Sequence, residues 1–215
     1  KSGDKVKICK LQNENAEAKF ISDEILEGIK NGKKYSDFAI LYRMNAQSNA
    51  LENVFARSGI SYRVIGGMRF FERKEIKDIL AHLTVINNPY DDSRLKRIVN
   101  APKRSIGDTT VNNAQQISDS LGISLFEVFK TAEDYPLLSR AAAKLKCFCD
   151  IIEELREQVG AIPLGELLEL TASKTGYMQY LYSLGPTEQD RIDNLRELGT
   201  NIAQYENESE EPTLS

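Results

Sequence analysis

The sequence predicts an α/β fold: a partial parallel sheet with flanking helices over residues 1–88, then an all-helical part over 89–205. Three observations carry this. Short apolar runs alternate with helical stripes in the first third of the chain. Asn87-Asn88-Pro89 interrupts the pattern. From residue 90 to 205 only helical periodicity recurs.

Lys5–Leu11 alternates, with Val6 and Ile8 on one face, and reads as a strand. Asn15–Lys30 carries Ala16, Phe20, Ile21, Ile25 and Ile29 at helical spacing, and Asn31-Gly32 stops it. Asp37–Tyr42 is a short apolar run of the kind a buried parallel strand shows. Ala46–Ser58 is helical, with Ala50, Leu51, Val54 and Phe55 on the core face. Ser61–Ile65 reads as a third strand ended by Gly66-Gly67, and Glu72–Ile86 as a helix with Ile76, Ile79, Leu80 and Leu83 inside. That order implies right-handed crossovers and a parallel sheet. Helices follow at about 92–100, 108–121, 124–132, 137–159, 164–173, 176–184 and 188–205, punctuated by Pro102, Gly122, Pro136, Pro163 and Gly185-Pro186. Residues 206–215 are acidic and poor in apolar residues, and read as a disordered tail.

Three cysteines are too few for a disulfide framework and suit a reducing, cytoplasmic setting. No apolar run is long enough to span a membrane. The net charge of −4 argues against nucleic-acid binding over the whole surface. The charge is unevenly placed, however. Residues 1–88 hold 15 basic and 11 acidic residues, and residues 89–215 hold 13 and 21. Within the acidic part, Arg94, Lys96, Arg97, Lys103 and Arg104 form a basic strip with no acid from 93 to 104.

Catalytic groups are scarce. His82 is the only histidine and lies in a predicted helix. Gly28–Lys34 is one residue short of a phosphate-binding loop, lacks its hydroxyl, and ends a helix instead of opening one. Asp23-Glu24 lies inside a helix, not at the strand end that a Mg²⁺ pair needs. The chain therefore has no catalytic or metal-binding residues of its own and no means of hydrolysing a nucleotide.

Three polar clusters remain. Arg43 and Asn45 follow the second predicted strand at the start of a helix, where free N–H groups and the helix dipole favour an anion. Arg43 paired with a carboxylate and Asn45 as a plain N-cap account for them equally well. Arg69 stands after Gly66-Gly67 and beside Phe70 and Phe71, a grouping that suits a phosphate and a base face; core phenylalanines and a solvated arginine are the other reading. Pro102–Thr110 places Lys103 and Arg104 before an Ile106-Gly107 turn, with a helix opening at Asp108. Such a hairpin grips duplex backbones without reading sequence, although ordinary helix capping would also explain Asp108.

The segments FAILYRMNAQSNALEN, YRVIGGMRFFERKEIKDILAHLTVINNPYDD and LKRIVNAPKRSIGDTT, in this order and spacing, resemble the UvrD/PcrA/Rep superfamily 1 DNA helicases. The resemblance is close over about residues 36–112 and looser beyond. It implies that the chain is the start of the second RecA-like domain, running into its helical insertion. It also implies an ATP-dependent 3′-to-5′ helicase as the parent protein, with ATP and Mg²⁺ bound by motifs outside this chain. The partners implied are DNA, as a single strand and as a single/double-strand junction, and the remaining helicase domains. Residue by residue, Arg43, Asn45 and Arg69 match positions that hold the single strand. Lys103, Arg104, Ile106, Gly107, Thr109 and Thr110 match a hairpin that touches duplex DNA. Ser105 replaces the usual glycine, which costs roughly 1 kcal/mol if the position needs φ > 0. Asn49 replaces a frequent arginine. The insertion would rotate as a unit about a hinge at Asn87–Asp92. An AddA-type helicase-nuclease subunit and a helical protein–protein adaptor are the competing readings. A P-loop upstream with an arginine motif downstream would select the helicase, and a distal nuclease domain the helicase-nuclease.

Overall fold

Ten α-helices form among the described residues, each close to where an apolar stripe predicts it. The structure, a computed structural model, describes residues 5–43, 47–65, 68–209 and 212–214. It divides into two compact units, Lys1–Glu72 and Arg73–Ser215.

In the first unit, α1 (Glu14–Lys30) starts where the Asn13 side chain accepts a hydrogen bond from the Ala16 amide at 2.9 Å. It ends at Asn31, and Gly32 follows at φ +90°, a left-handed conformation that only glycine adopts without strain. Helix α2 (Ser48–Arg57) packs on α1. Ala18 and Ile25 meet Ala50, Leu51, Phe55 and Ile60 in a small core, joined by Phe38, Ile40 and Tyr62 from the irregular segments. Gly28 lies under the Phe38 ring, close enough that a Cβ would collide with it, so this glycine serves packing.

The predicted parallel sheet is absent, which corrects the α/β, RecA-like expectation for residues 1–88. No strand forms among the described residues, and the protein there is helical with irregular connections. Residues 5–11, 38–42 and 61–65 make no backbone hydrogen bonds with one another. A parallel strand has no internal bonds and persists only on a ladder with a neighbour. Apolar alternation encodes an extended segment but not its partner. Consequently Val6, Ile8, Leu41 and Ile65 are 91%, 94%, 95% and 81% exposed. A cleft of about 890 Å³ lies between the 38–42 and 60–65 segments and the helices, lined by Phe38, Leu41, Leu51, Phe55, Tyr62 and Ile65 among others.

The second unit is built round α3 (Lys74–Asn87), which packs against α4 (Asp92–Ile98), α7 (Ala142–Arg156), α8 (Leu164–Lys174) and α10 (Gln189–Glu208). Nine of its 14 residues are buried, and it lies within the second unit. Asp91, within the expected hinge, caps α4 by accepting from the Arg94 amide at 2.9 Å, and α4 packs directly on α3. Helices α5 (Asp108–Leu121), α6 (Leu125–Lys130) and α9 (Tyr177–Ser183) complete the unit. Helix α10 continues through Glu208, so the opening residues of the expected tail are helical. The Glu206 carboxylate accepts from the Leu164 and Gly165 amides at the start of α8. It satisfies donors that Pro163, at the N-cap, has no side-chain acceptor to serve. No helix among the described residues is long and apolar enough to cross a membrane.

Candidate nucleic-acid interface

The hairpin between α4 and α5 is shaped by one side chain. Asn100 Oδ1 accepts from the Arg104 amide at 2.7 Å and the Ile106 amide at 3.3 Å. This closes residues 100–106 into a tight loop containing a cis Ala101–Pro102 bond. Ser105 sits at φ +58°, the left-handed conformation at issue when serine replaces glycine there. Ile106 is 1% exposed and anchors the loop in the core. Gly107 is the N-cap, and the first intrahelical bond of α5 runs from the Val111 amide to the Gly107 carbonyl. The amides of Asp108, Thr109 and Thr110 thus open the helix. Lys103, Ser105, Gly107, Asp108 and Thr109 are exposed, and Thr110 is half-buried.

Lys103 and Arg104 point to different environments. Lys103 is exposed. The Arg104 guanidinium is turned inward: Nη1 donates to the carbonyls of Ile98, Val99 and Pro102 at 3.1, 3.3 and 3.1 Å, and Nη2 to the Thr175 carbonyl at 2.8 Å. It lies over the Phe148 ring, 5.2 Å from the centroid. Burial lowers its pKa to about 10, so it stays charged at neutral pH. Of the rest of the basic strip, Arg97 pairs with buried Asp78 at 2.7 Å, whereas Arg94 and Lys96 are exposed.

The single-strand candidates lie in the first unit, and the hairpin in the second. Arg43 is exposed, and its amide donates to Gln47 Oε1 at 3.0 Å, immediately before α2. Asn45 lies outside the described residues. Arg69 is exposed, with its guanidinium over the Tyr62 ring at 5.3 Å. The segment carrying it is tied down by Glu52, which accepts from the Phe70 amide and from the Tyr62 hydroxyl. Burial, with Glu52 alongside, raises the Tyr62 pKa. Phe70 is fully buried and Phe71 is 46% exposed, so one phenylalanine is core and the other faces solvent. Asn49 is buried and accepts from the Asn53 side chain at 3.4 Å.

Sequence reasoning missed Asn100, Glu52 and Thr175. Asn100 had a local signal, an Asx residue just ahead of a turn. Glu52 and Thr175 had none, because their partners lie 18 and 71 residues away. His82 is fully buried, as part of the packing of α3. Its Nδ1 donates to the Asp78 carbonyl at 2.9 Å, since that carbonyl can only accept, and Nε2 has no protein partner. Among the described residues no cluster of His, Cys, Asp and Glu could hold a metal ion.

The chain matches the model of the UvrD-like helicase C-terminal domain over residues 1–215. It is 35% identical over 206 residues to the ATP-dependent DNA helicase PcrA of Staphylococcus aureus, and 36% identical over 205 residues to that of Staphylococcus epidermidis. Each match covers 95% of this chain and 28% of the relative, so the chain spans just over a quarter of their length. The chain therefore belongs to the UvrD-like helicase C-terminal domain family.

Proposed function

We propose that this chain supplies DNA contacts to an ATP-dependent helicase moving 3′ to 5′. Arg43, Asn45 and Arg69 hold the single strand, and the hairpin Lys103–Thr110 meets duplex at a junction. ATP and Mg²⁺ are used by the parent protein, and the chain alone hydrolyses no nucleotide. The observation that carries this reading is the outward face of the hairpin. A lysine, two threonines and the opening amides of α5 stand together on a loop whose apolar residue, Ile106, is buried. Cations, hydroxyls and helix-start amides are the groups that bind backbone phosphate without reading bases. The relatives' names as ATP-dependent DNA helicases support the parent activity.

The test is paired titration of the parent protein on a single strand and on a tailed duplex, at several salt concentrations. Lys103→Ala should lower the salt slope on the tailed duplex by about one unit and leave single-strand binding unchanged. Equal losses on both substrates, or none on either, would refute a duplex-contacting hairpin.

A further inference from the structure

Arg104 and Lys103 are adjacent cations with the same formal charge, but the guanidinium of Arg104 is already engaged by four carbonyl oxygens. Two belong to Ile98 and Val99, at the end of α4, and one to Thr175, at the C-cap of α8. The last carbonyls of a helix lack intrahelical donors and carry the negative end of its dipole. A planar fork of five N–H groups on three nitrogens can reach oxygens on two helix ends at once, whereas an ammonium has three donors about a single nitrogen. No carboxylate forms an ion pair with Arg104 among the described residues. The loop also touches the corner where α8 passes into α9. Pro102 Cγ lies 3.8 Å from where a Cβ on Gly176 would stand, and Gly176 itself is left-handed at φ +75°. The Phe148 ring supports the other face of the guanidinium.

We infer that Arg104 is a positioning residue: it clamps the 100–107 loop to the ends of α4 and α8 and sets where Lys103 and the α5 amides stand, without itself touching phosphate. This rests on the proposed duplex contact and narrows it. The duplex reads Lys103 and the helix start, and Arg104 acts through them. It separates two cations that the sequence presents as an equivalent pair.

The test uses the parent protein with Arg104→Met and Arg104→Lys. Binding is read on a tailed duplex and a single strand across salt, and hydrogen exchange is read at the backbone amides of residues 104 and 106, both held by Asn100 Oδ1. A clamp predicts that both variants bind the tailed duplex about tenfold more weakly. Their salt slopes on the tailed duplex should fall alike, because what is lost is the placing of Lys103 and not a charge at position 104. Exchange at both amides should rise, and single-strand affinity should hold. The lysine variant is decisive, since it keeps the charge and loses the fork. If Arg104→Lys binds normally while Arg104→Met loses about one unit of slope, Arg104 is a phosphate contact and the inference fails. Unchanged binding and exchange in both variants would also overturn it. So would global unfolding in both, which would show Arg104 holding the whole unit and not the loop. If Lys103→Ala leaves junction binding intact, the duplex reading falls by itself, and the exchange data still decide whether Arg104 clamps the loop.

Discussion

The two units of this chain differ most between the extended segments of the first and the central helix of the second. The first exposes apolar residues: Val6, Ile8, Leu41 and Ile65 lie on extended segments that pair with nothing described. The second buries polar ones. Glu75, Asp78 and His82 on α3 are all enclosed, and each has a partner. Asn194 joins Glu75 to Arg73 through two hydrogen bonds of 2.6 Å. Asp78 accepts from Arg97 at 2.7 Å and from the Tyr177 hydroxyl at 2.9 Å. Burial and Asp78 push the Tyr177 pKa upward, so this hydroxyl remains a donor. The contrast teaches that polarity does not by itself decide exposure. A helix surrounded by four others must enclose its polar face, and can do so only if those neighbours bring partners.

The comparison breaks most readily at the middle of α3. Ile79 is fully buried, and Ile79→Ala should destabilise the second unit by about 2–5 kcal/mol through lost burial and the cavity left behind. Urea unfolding measures this, and a loss no larger than that of a surface substitution would contradict the central place of α3.

Acid should distinguish the units next. Burial, opposed by the Asp78 hydrogen bond and reinforced by the Arg104 charge, lowers the His82 pKa from 6.5 to about 4. Between those values the unfolded chain binds a proton that the folded unit refuses. The stability attached to His82 is thus complete above pH 6.5 and declines as the pH falls toward 4, by about 3 kcal/mol in all. Unfolding curves over this window should be steeper in pH for the unmodified chain than for His82→Leu. Identical pH dependence would show that His82 titrates normally.

The smallest effect belongs to the first unit. Leu41→Ser and Ile65→Ser should each change stability by less than about 0.5 kcal/mol, because neither residue loses solvent exposure on folding. A cost near that of Ile79→Ala would mean that these side chains are buried in the folded protein.

Much of this was legible in the chain itself. Asn31-Gly32 marks the end of α1, Ser124 caps α6 by accepting from the Glu127 amide, and Gly122 closes α5 in the left-handed conformation. Of the stripe Ile76, Ile79, Leu80 and Leu83, three residues are buried and Leu80 is half-buried. The burial of Glu75 and Asp78 had no local signal, because it depends on Asn194, Arg97 and Tyr177 being placed beside them. The predicted strands failed for a related reason: alternation in Lys5–Leu11 and the apolar run in Asp37–Tyr42 describe a backbone shape, while a sheet requires a neighbour. At the hairpin, the turn and the helix start at Asp108 were readable, and the inward orientation of Arg104 was not.

By itself the sequence determined the family, the approximate positions of the helices, and the turn that carries Lys103 and Gly107. These depend on local matters: the 3.6-residue period, caps three residues away, and residue types that tolerate a bend. Only the tertiary structure decided that α3 is enclosed, that the strand-like segments stay unpaired, and that of two adjacent cations one faces solvent and the other is clamped. Those outcomes depend on acceptors and neighbours distant in the chain, such as Thr175 for Arg104 and Asn194 for Glu75, which no local pattern encodes.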